Sequence, residues 1–334
     1  SVFRVQKTGA FGELAVDKMP VTGLMKVHSA GRLITDSAAG ATAMATGHKT
    51  LNGMVGVLPD STPVPTILEI CRDQGLATGL VATSSITHAT PACFASHIIS
   101  RYKQEEIAVQ LLQNKVDVLL GGGRKYFLPE IMENGSRSDN MNLVSEAQLA
   151  GYDYVESSLD LNNSEQRKIL GLFANEGFTN SDDEPALAEM TRKAIEVLSQ
   201  NTQGFFLVVE GSQIDWAGHN NDLEWLEREM LAFDEAVTVA NKFAIENDET
   251  LIVVTADHET GGLSIVDGKV SGENLRVSWA TDGHTSQMVP VYASGKGANR
   301  FTGTLDNTEI PIIMTDLLGF GELLRVEKIQ KISY

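Results

Sequence analysis

Six short apolar segments separated by helix-like stretches are the feature that most limits how this chain can fold. Strand candidates read near Gly23–His28, Ala77–Thr83, Val116–Leu120, Phe205–Glu210, Leu251–Ala256 and Val289–Ala293. Helix candidates read near Ser37–Thr46, Pro63–Asp73, Gln104–Gln113, Pro185–Ser199, Leu223–Ile245 and Glu309–Leu318. Continuous apolar runs are what a sheet covered on both faces requires, and alternation with helices is what supplies the cover. The pattern predicts an α/β fold with a mainly parallel central sheet and helices on both faces. The helix from Leu223 is the plainest. Leu223, Leu226, Met230, Phe233, Val237 and Ala240 fall three or four apart and form one apolar stripe.

Thr35-Asp36-Ser37-Ala38-Ala39-Gly40 marks the start of one such helix. Asp36 closes a loop and Ser37 opens the helix, so the serine hydroxyl faces unpaired N–H groups and the positive end of the helix dipole, a setting that suits a phosphate. An ordinary N-capped, alanine-rich core helix reads the same way. Further along, Asp215 and His219 stand four apart and share one side of a helical turn. Asp257-His258 ends the apolar run from Leu251, and Asp282-Gly283-His284 adds a third histidine. Carboxylates with imidazoles are the donor mix of catalytic zinc, although an Asp-His pair is also a common polar strand end. His28, His48 and His97 match no motif and are expected to be structural or exposed.

Net charge is -18, which disfavours nucleic acid as a partner and repels anionic substrates at long range. An anion site would need local positive charge. No apolar run reaches transmembrane length. Cys71 and Cys93 are expected to be two free, buried thiols. Residues 130–184 are polar in parts and read as an insertion with short elements. The tail 325–334 reads as a terminal strap or disordered end.

These phrases together resemble the bacterial alkaline phosphatases. The resemblance is carried by Thr35-Asp36-Ser37-Ala38-Ala39, Thr87-His88-Ala89-Thr90-Pro91-Ala92, Gly121-Gly122-Gly123, Val209-Glu210-Gly211-Ser212-Gln213-Ile214-Asp215, Thr255-Ala256-Asp257-His258-Glu259-Thr260-Gly261-Gly262 and Gly283-His284-Thr285, in the family's order. It implies one alkaline-phosphatase-like domain over 1–334, with a reduced crown at 263–282. It also implies hydrolysis of small phosphate monoesters through a phosphoserine on Ser37, using two zinc ions and one magnesium ion. One zinc would take Asp215, His219 and His284. The other would take Asp257, His258 and the Ser37 alkoxide, and magnesium would take Glu210 and Thr90. Asp36 would orient the site by hydrogen bonds, and Arg101 would grip two phosphate oxygens, a task that suits a guanidinium fork. His88 and Trp216 replace an aspartate and a lysine found in many relatives. They would border the substrate, with His88 meeting the third metal through water or holding a zinc directly. A periplasmic or secreted location and a homodimer also follow from the resemblance.

One family phrase is missing. The family opens with a strand ending in an Ile-Gly-Asp-Gly-Met-Gly type turn, whose aspartate bridges the second zinc and the magnesium; this sequence starts at Ser1 without it. The expectation is a native protein with roughly 20–40 further N-terminal residues, a strand, a loop and a helix. Their loss would leave two unpaired sheet edges and a gap in the core. Two other readings remain at this point: a diesterase of the wider superfamily, and a catalytically impaired phosphate-binding module. A sulfatase is disfavoured, because no Cys-x-Pro-x-Arg segment is present.

Overall fold

The computed structural model describes residue 9 and residues 12–321. The elements run β1 (Val21–Lys26), α1 (Ser37–Thr46), α2 (Ile67–Asp73), β2 (Ala77–Ser85), α3 (Ala89–Ala95), α4 (Gln104–Gln113), β3 (Val118–Gly122), α5 (Leu143–Leu149), β4 (Asp153–Val155), α6 (Ser158–Asn163), β5 (Ile169–Leu172), α7 (Leu187–Leu198) and β6 (Phe205–Glu210). They continue with α8 (Gln213–His219), α9 (Leu223–Glu246), β7 (Leu251–Val254), β8 (Glu259–Thr260), β9 (Ser264–Asp267), β10 (Arg276–Ser278), β11 (His284–Thr285), β12 (Val289–Gly295), β13 (Gly303–Asp306) and α10 (Glu309–Leu317).

Five strands form an all-parallel sheet in the order β4-β5-β3-β2-β6. Its central strands β2 and β3 are buried at every position, as strands covered by helices on both faces are, with Thr78, Thr83, Ser84 and Ser85 the polar positions of β2. Successive side chains feed opposite cores. Leu80 and Leu119 pack with Ile67, Leu68 and Leu111 on one face, while Val81 and Val118 pack with Leu187, Met190 and Ala194 on the other. The helices on both faces are the expected arrangement.

A second sheet has the order β13-β1-β12-β7. Here β1 runs parallel to β13, but β12 is antiparallel to both β1 and β7. A buried apolar run carries no signal of its direction, so this mixed character is not legible in sequence. Among the described residues, β6 and β7 each pair on one side only and are half-buried throughout. The long helix α9 joins them, with Phe233 packed against both the Val81–Leu187 cluster and the Val237–Val254 group.

The stretch 130–184, expected to stand outside the regular layers, contributes β4 and β5 to the parallel sheet. Runs of three and four residues are too short to show a period. Residues 263–282 contain the antiparallel pair β9–β10. The helix expected from Pro63 begins at Ile67, where Thr66 accepts a hydrogen bond from Glu69 N and completes a capping box. Cys71 and Cys93 are free and buried, and burial pushes both thiols up to about 12. No helix among the described residues is long and apolar enough to cross a membrane. The tail 325–334 lies outside the described residues.

Candidate active site

Ser37 is the first residue of α1, and Asp36 is its cap. The two oxygens of Asp36 divide their work. Oδ1 accepts from Ala39 N at 3.0 Å, while Oδ2 accepts from Gly53 N at 3.0 Å and from Arg101 Nη1 at 3.1 Å. The other arm of the guanidinium donates from Nη2 to His88 Nε2 at 3.2 Å. The segment carrying Arg101 is fixed by Arg101 N donating to Gly53 O at 2.8 Å and by the Val55–Ile98 bridge. Beside it, His97 joins Gly56 O at 2.7 Å and Glu69 Oε1 at 2.9 Å. His97 is therefore structural, as expected of a histidine outside the motifs.

Helix α1 lies hard against the Asp257 backbone. A Cβ on Gly40 would sit 3.0 Å from Asp257 O and 3.2 Å from its Cβ, so a glycine is needed for this approach. The approach brings Ser37 Oγ to 3.1 Å from His258 Nε2. Asp257 Oδ2 lies 3.1 Å from the same nitrogen. A proton relay would place serine and carboxylate on opposite ring nitrogens. Here both converge on one, which is the arrangement of ligands around a common cation.

The His258 and His284 rings stack with centroids 3.5 Å apart. His284 donates from Nδ1 to Thr35 O at 2.8 Å, and His219 donates from Nδ1 to Asp282 O at 2.6 Å. A carbonyl only accepts, so these bonds put a proton on each Nδ1, and the tautomer able to bind a metal has its lone pair on Nε2. The two Nε2 atoms are 3.1 Å apart, and each lies 3.4 Å from an Asp215 oxygen. Two lone pairs facing each other beside a carboxylate call for a cation between them. Ligand atoms of Asp215, His258 and His284 fall within 4.8 Å of one another. Burial opposes ionisation of Asp215, but His284, His258, Thr260 and His219 outweigh it and hold its carboxyl well below the usual range. Burial likewise opposes ionisation of Asp257 and protonation of His258; their mutual attraction outweighs it, lowering the pKa of the acid and raising that of the imidazole.

Glu210 ends β6 half-buried, and desolvation pushes its carboxyl up to about 7 against hydrogen bonds from Ser212 and Thr90. Ser212 Oγ donates to it at 2.7 Å. His88 is half-buried, and desolvation with the Arg101 charge brings its pKa down to about 4, so the ring is neutral. With Nε2 accepting from Arg101, the proton sits on Nδ1, which is buried and has no hydrogen-bond partner among the described residues. Trp216 meets the His88 ring edge-on at 6.0 Å and fills the space where a Cβ on Gly177 would stand.

The structure thus gathers Asp36, Ser37, His88, Arg101, Asp215, Trp216, Asp257, His258, His219 and His284 around one region, with Thr90 and Glu210 alongside. The partly buried carboxylates at Glu210, Asp215 and Asp257 repel one another, and cations relieve that repulsion. Imidazole nitrogen with carboxylate oxygen fits zinc, and the oxygen donors Glu210 and Thr90 fit magnesium. Sequence reasoning overlooked Thr260, whose Oγ1 donates to Asp215 and lies 3.3 Å from His258 Nδ1. It also overlooked the ligand-orienting carbonyls of Thr35 and Asp282. Thr260 is two residues after His258, but carbonyl partners carry no sequence signal.

Comparison with known proteins gives a family model of alkaline phosphatase matching residues 3–275. Alkaline phosphatase 3 of Bacillus subtilis is 37% identical, with 83% of this chain and 75% of that protein aligned. The alkaline phosphatase of the Antarctic bacterium TAB5 superposes with a TM-score of 0.87 at 35% identity, covering 95% of this chain and 94% of that one. A histidine-to-glutamate mutant of the TAB5 enzyme, with magnesium bound in its M3 site, superposes with a TM-score of 0.85 at 33% identity over 96% and 94% of the two chains.

Proposed function

This chain belongs to the alkaline phosphatase family, and we propose that its hydrolysis of phosphate monoesters passes through a phosphoserine on Ser37, with two zinc ions and one magnesium ion as cofactors. The observation that carries this reading is the convergence of Ser37 Oγ and Asp257 Oδ2 on His258 Nε2, each at 3.1 Å. One zinc belongs with Asp215, His219 and His284, and the second with Asp257, His258 and Ser37. The trio Asp215, His258 and His284 straddles this division, as ligand sets of two adjacent ions do. Magnesium belongs with Glu210 and Thr90, and the unpartnered His88 Nδ1–H suits a water bound to that ion. When bound, the metals lower the pKa of the serine hydroxyl and of the attacking water and take up charge on the leaving oxygen.

Ser37 Oγ attacks phosphorus in line, the bond to the alcohol oxygen breaks, and the phosphoryl group rests on the serine. Water then attacks the phosphoserine, releasing inorganic phosphate and restoring Ser37. The N-terminus of α1 turns its N–H groups toward the phosphoryl oxygens. Arg101, steadied by Asp36 and His88, clamps two of those oxygens, and Trp216 backs His88 at the border of the site. The alkaline phosphatase kinship also supports a homodimer acting in the periplasm or outside the cell. The test compares hydrolysis of a monoester, a diester and a sulfate ester, with acid-trapping of labelled Ser37. A labelled serine and a dominant monoesterase rate are expected. A faster diester rate, or turnover without label, overturns the reading.

A further inference from the structure

We propose that the alcohol half of the substrate rests against an apolar rim made by Leu33 and Ile34, so that the enzyme favours monoesters of aryl or alkyl alcohols over those of small polar alcohols. The proposal rests on the reading above that the phosphoryl group sits at Ser37. An open cleft of about 590 Å³ is lined by Arg32, Leu33, Ile34, Thr35, Asp36, Asn52, His219 and His284. Its inner wall is the polar cluster already described. Its outer wall is different in kind: Leu33 is 77% exposed and Ile34 47% exposed, side by side in the segment that leads into Ser37. Single exposed aliphatic residues are ordinary, but two at the mouth of a reactive cleft continue the ligand's path outward.

This rim is held still. Arg32 O accepts from Ser29 N at 3.1 Å, Ile34 O accepts from Asn52 Nδ2 at 3.2 Å, and Thr35 O accepts from His284 Nδ1 at 2.8 Å. The last bond ties the rim to the imidazole that faces Asp215; with Ser37 grouped with Asp257 and His258, in-line attack leaves the Asp215–His219–His284 side to the departing alcohol oxygen. An alcohol leaving from there passes Ile34 and Leu33. The polar cluster reads the phosphoryl group and is indifferent to what it is esterified to. Contact with the rim is apolar and open on one side, so it discriminates by size of the apolar body, roughly 3–10-fold rather than absolutely.

The test uses phosphonates, whose phosphorus–carbon bond is not cleaved, as competitive inhibitors of the zinc- and magnesium-loaded enzyme at alkaline pH. Phenylphosphonate is expected to bind roughly 3–10-fold more tightly than methylphosphonate. In Leu33→Ser and in the Leu33→Ser/Ile34→Ser variant that ratio should fall toward one, with inhibition by inorganic phosphate unchanged. Equal affinities in the wild-type enzyme, or a ratio that survives both variants, overturns the proposal. A changed sedimentation mass with an unchanged ratio also overturns it, since the rim would then be covered by a second copy of the chain. If inorganic phosphate and both phosphonates fail to inhibit at all, the phosphoryl site itself is misplaced, a result distinct from failure of the rim.

Discussion

Arg101 and Asp36 are 65 residues apart in sequence, yet the guanidinium Nη1 lies 3.1 Å from the carboxylate Oδ2. The same carboxylate caps the helix that presents Ser37. The proposed nucleophile and the proposed phosphate clamp are therefore both held by one side chain, and a shift in either is felt by the other.

Arg101→Ala should weaken inhibition by inorganic phosphate and cost roughly 2–4 kcal/mol in kcat/KM, the scale of a lost charged bidentate contact. Asp36→Ala should show the same kinetic direction, with about 1 kcal/mol of stability lost as well, because it also removes a helix cap. Steady-state kinetics and urea titration on the two variants separate these effects. Unchanged phosphate inhibition in Arg101→Ala places the residue outside the site.

Ser37→Ala should abolish the trapped phosphoserine and lower the rate by about 10³-fold or more. With the serine present, a covalent intermediate transfers phosphate to added alcohols such as Tris with net retention at phosphorus. Inversion at phosphorus would mean direct attack by water.

Dialysis against a chelator should abolish activity, and zinc with magnesium should restore it. Elemental analysis read beside the recovered rate checks this. A metal-free sample with full activity rules the mechanism out.

Gly40→Val places a branched side chain where Asp257 O and Cβ stand 3.0 and 3.2 Å from an added Cβ. A valine in place of glycine has no strong helix penalty of its own. Its expected effect is instead displacement of Asp257 and weaker retention of the second zinc. Metal content after dialysis should fall further than the urea midpoint does. Wild-type zinc retention would show that the approach has room to spare.

His97 and Glu69 predict a stability term with a defined pH window. Burial disfavours charge on both. Their hydrogen bond and mutual attraction outweigh it, raising the pKa of His97 and lowering that of Glu69. The histidine's contribution is complete below its unfolded value of about 6.5 and is lost as pH rises through its raised folded value. That of the glutamate is complete above about 4.3 and is lost as pH falls through its lowered folded value. The stability difference between wild type and His97→Gln should therefore be largest between these limits and shrink above them. A difference that stays constant into alkaline pH would show that His97 is neutral throughout.

What the sequence makes legible follows physical range. Leu223 to Ala240 specify α9 because a stripe many turns long repeats its own signal, and the Asp36–Ser37 junction is legible because a cap is a local event. Asp153–Val155 and Ile169–Leu172 are not, since strands that short borrow their identity from the sheet they join. The reversal of β12 is set by its neighbours β1 and β7. Residue types mark Asp215, His219, Asp257, His258 and His284 as donors. Only the fold gives the spacing of their atoms, the carbonyls that turn the rings, and the hold of Asp36 on Arg101.

Phe233 sits where a Cβ on Gly211 would meet its ring at 3.0 Å, directly behind Glu210, and it also reaches the group around Val254. Glu210 ends β6 and Asp215 follows it, whereas Asp257 and His258 follow β7. The donors of one cleft are thus delivered from two sheets, and β6 and β7 share no ladder with each other among the described residues. A cation held by both groups would tie the end of β6 to the end of β7, and part of its binding free energy would go into holding those two ends in place. Trimming Phe233 to alanine, several side chains away from the serine, would then register first as a looser grip on metal.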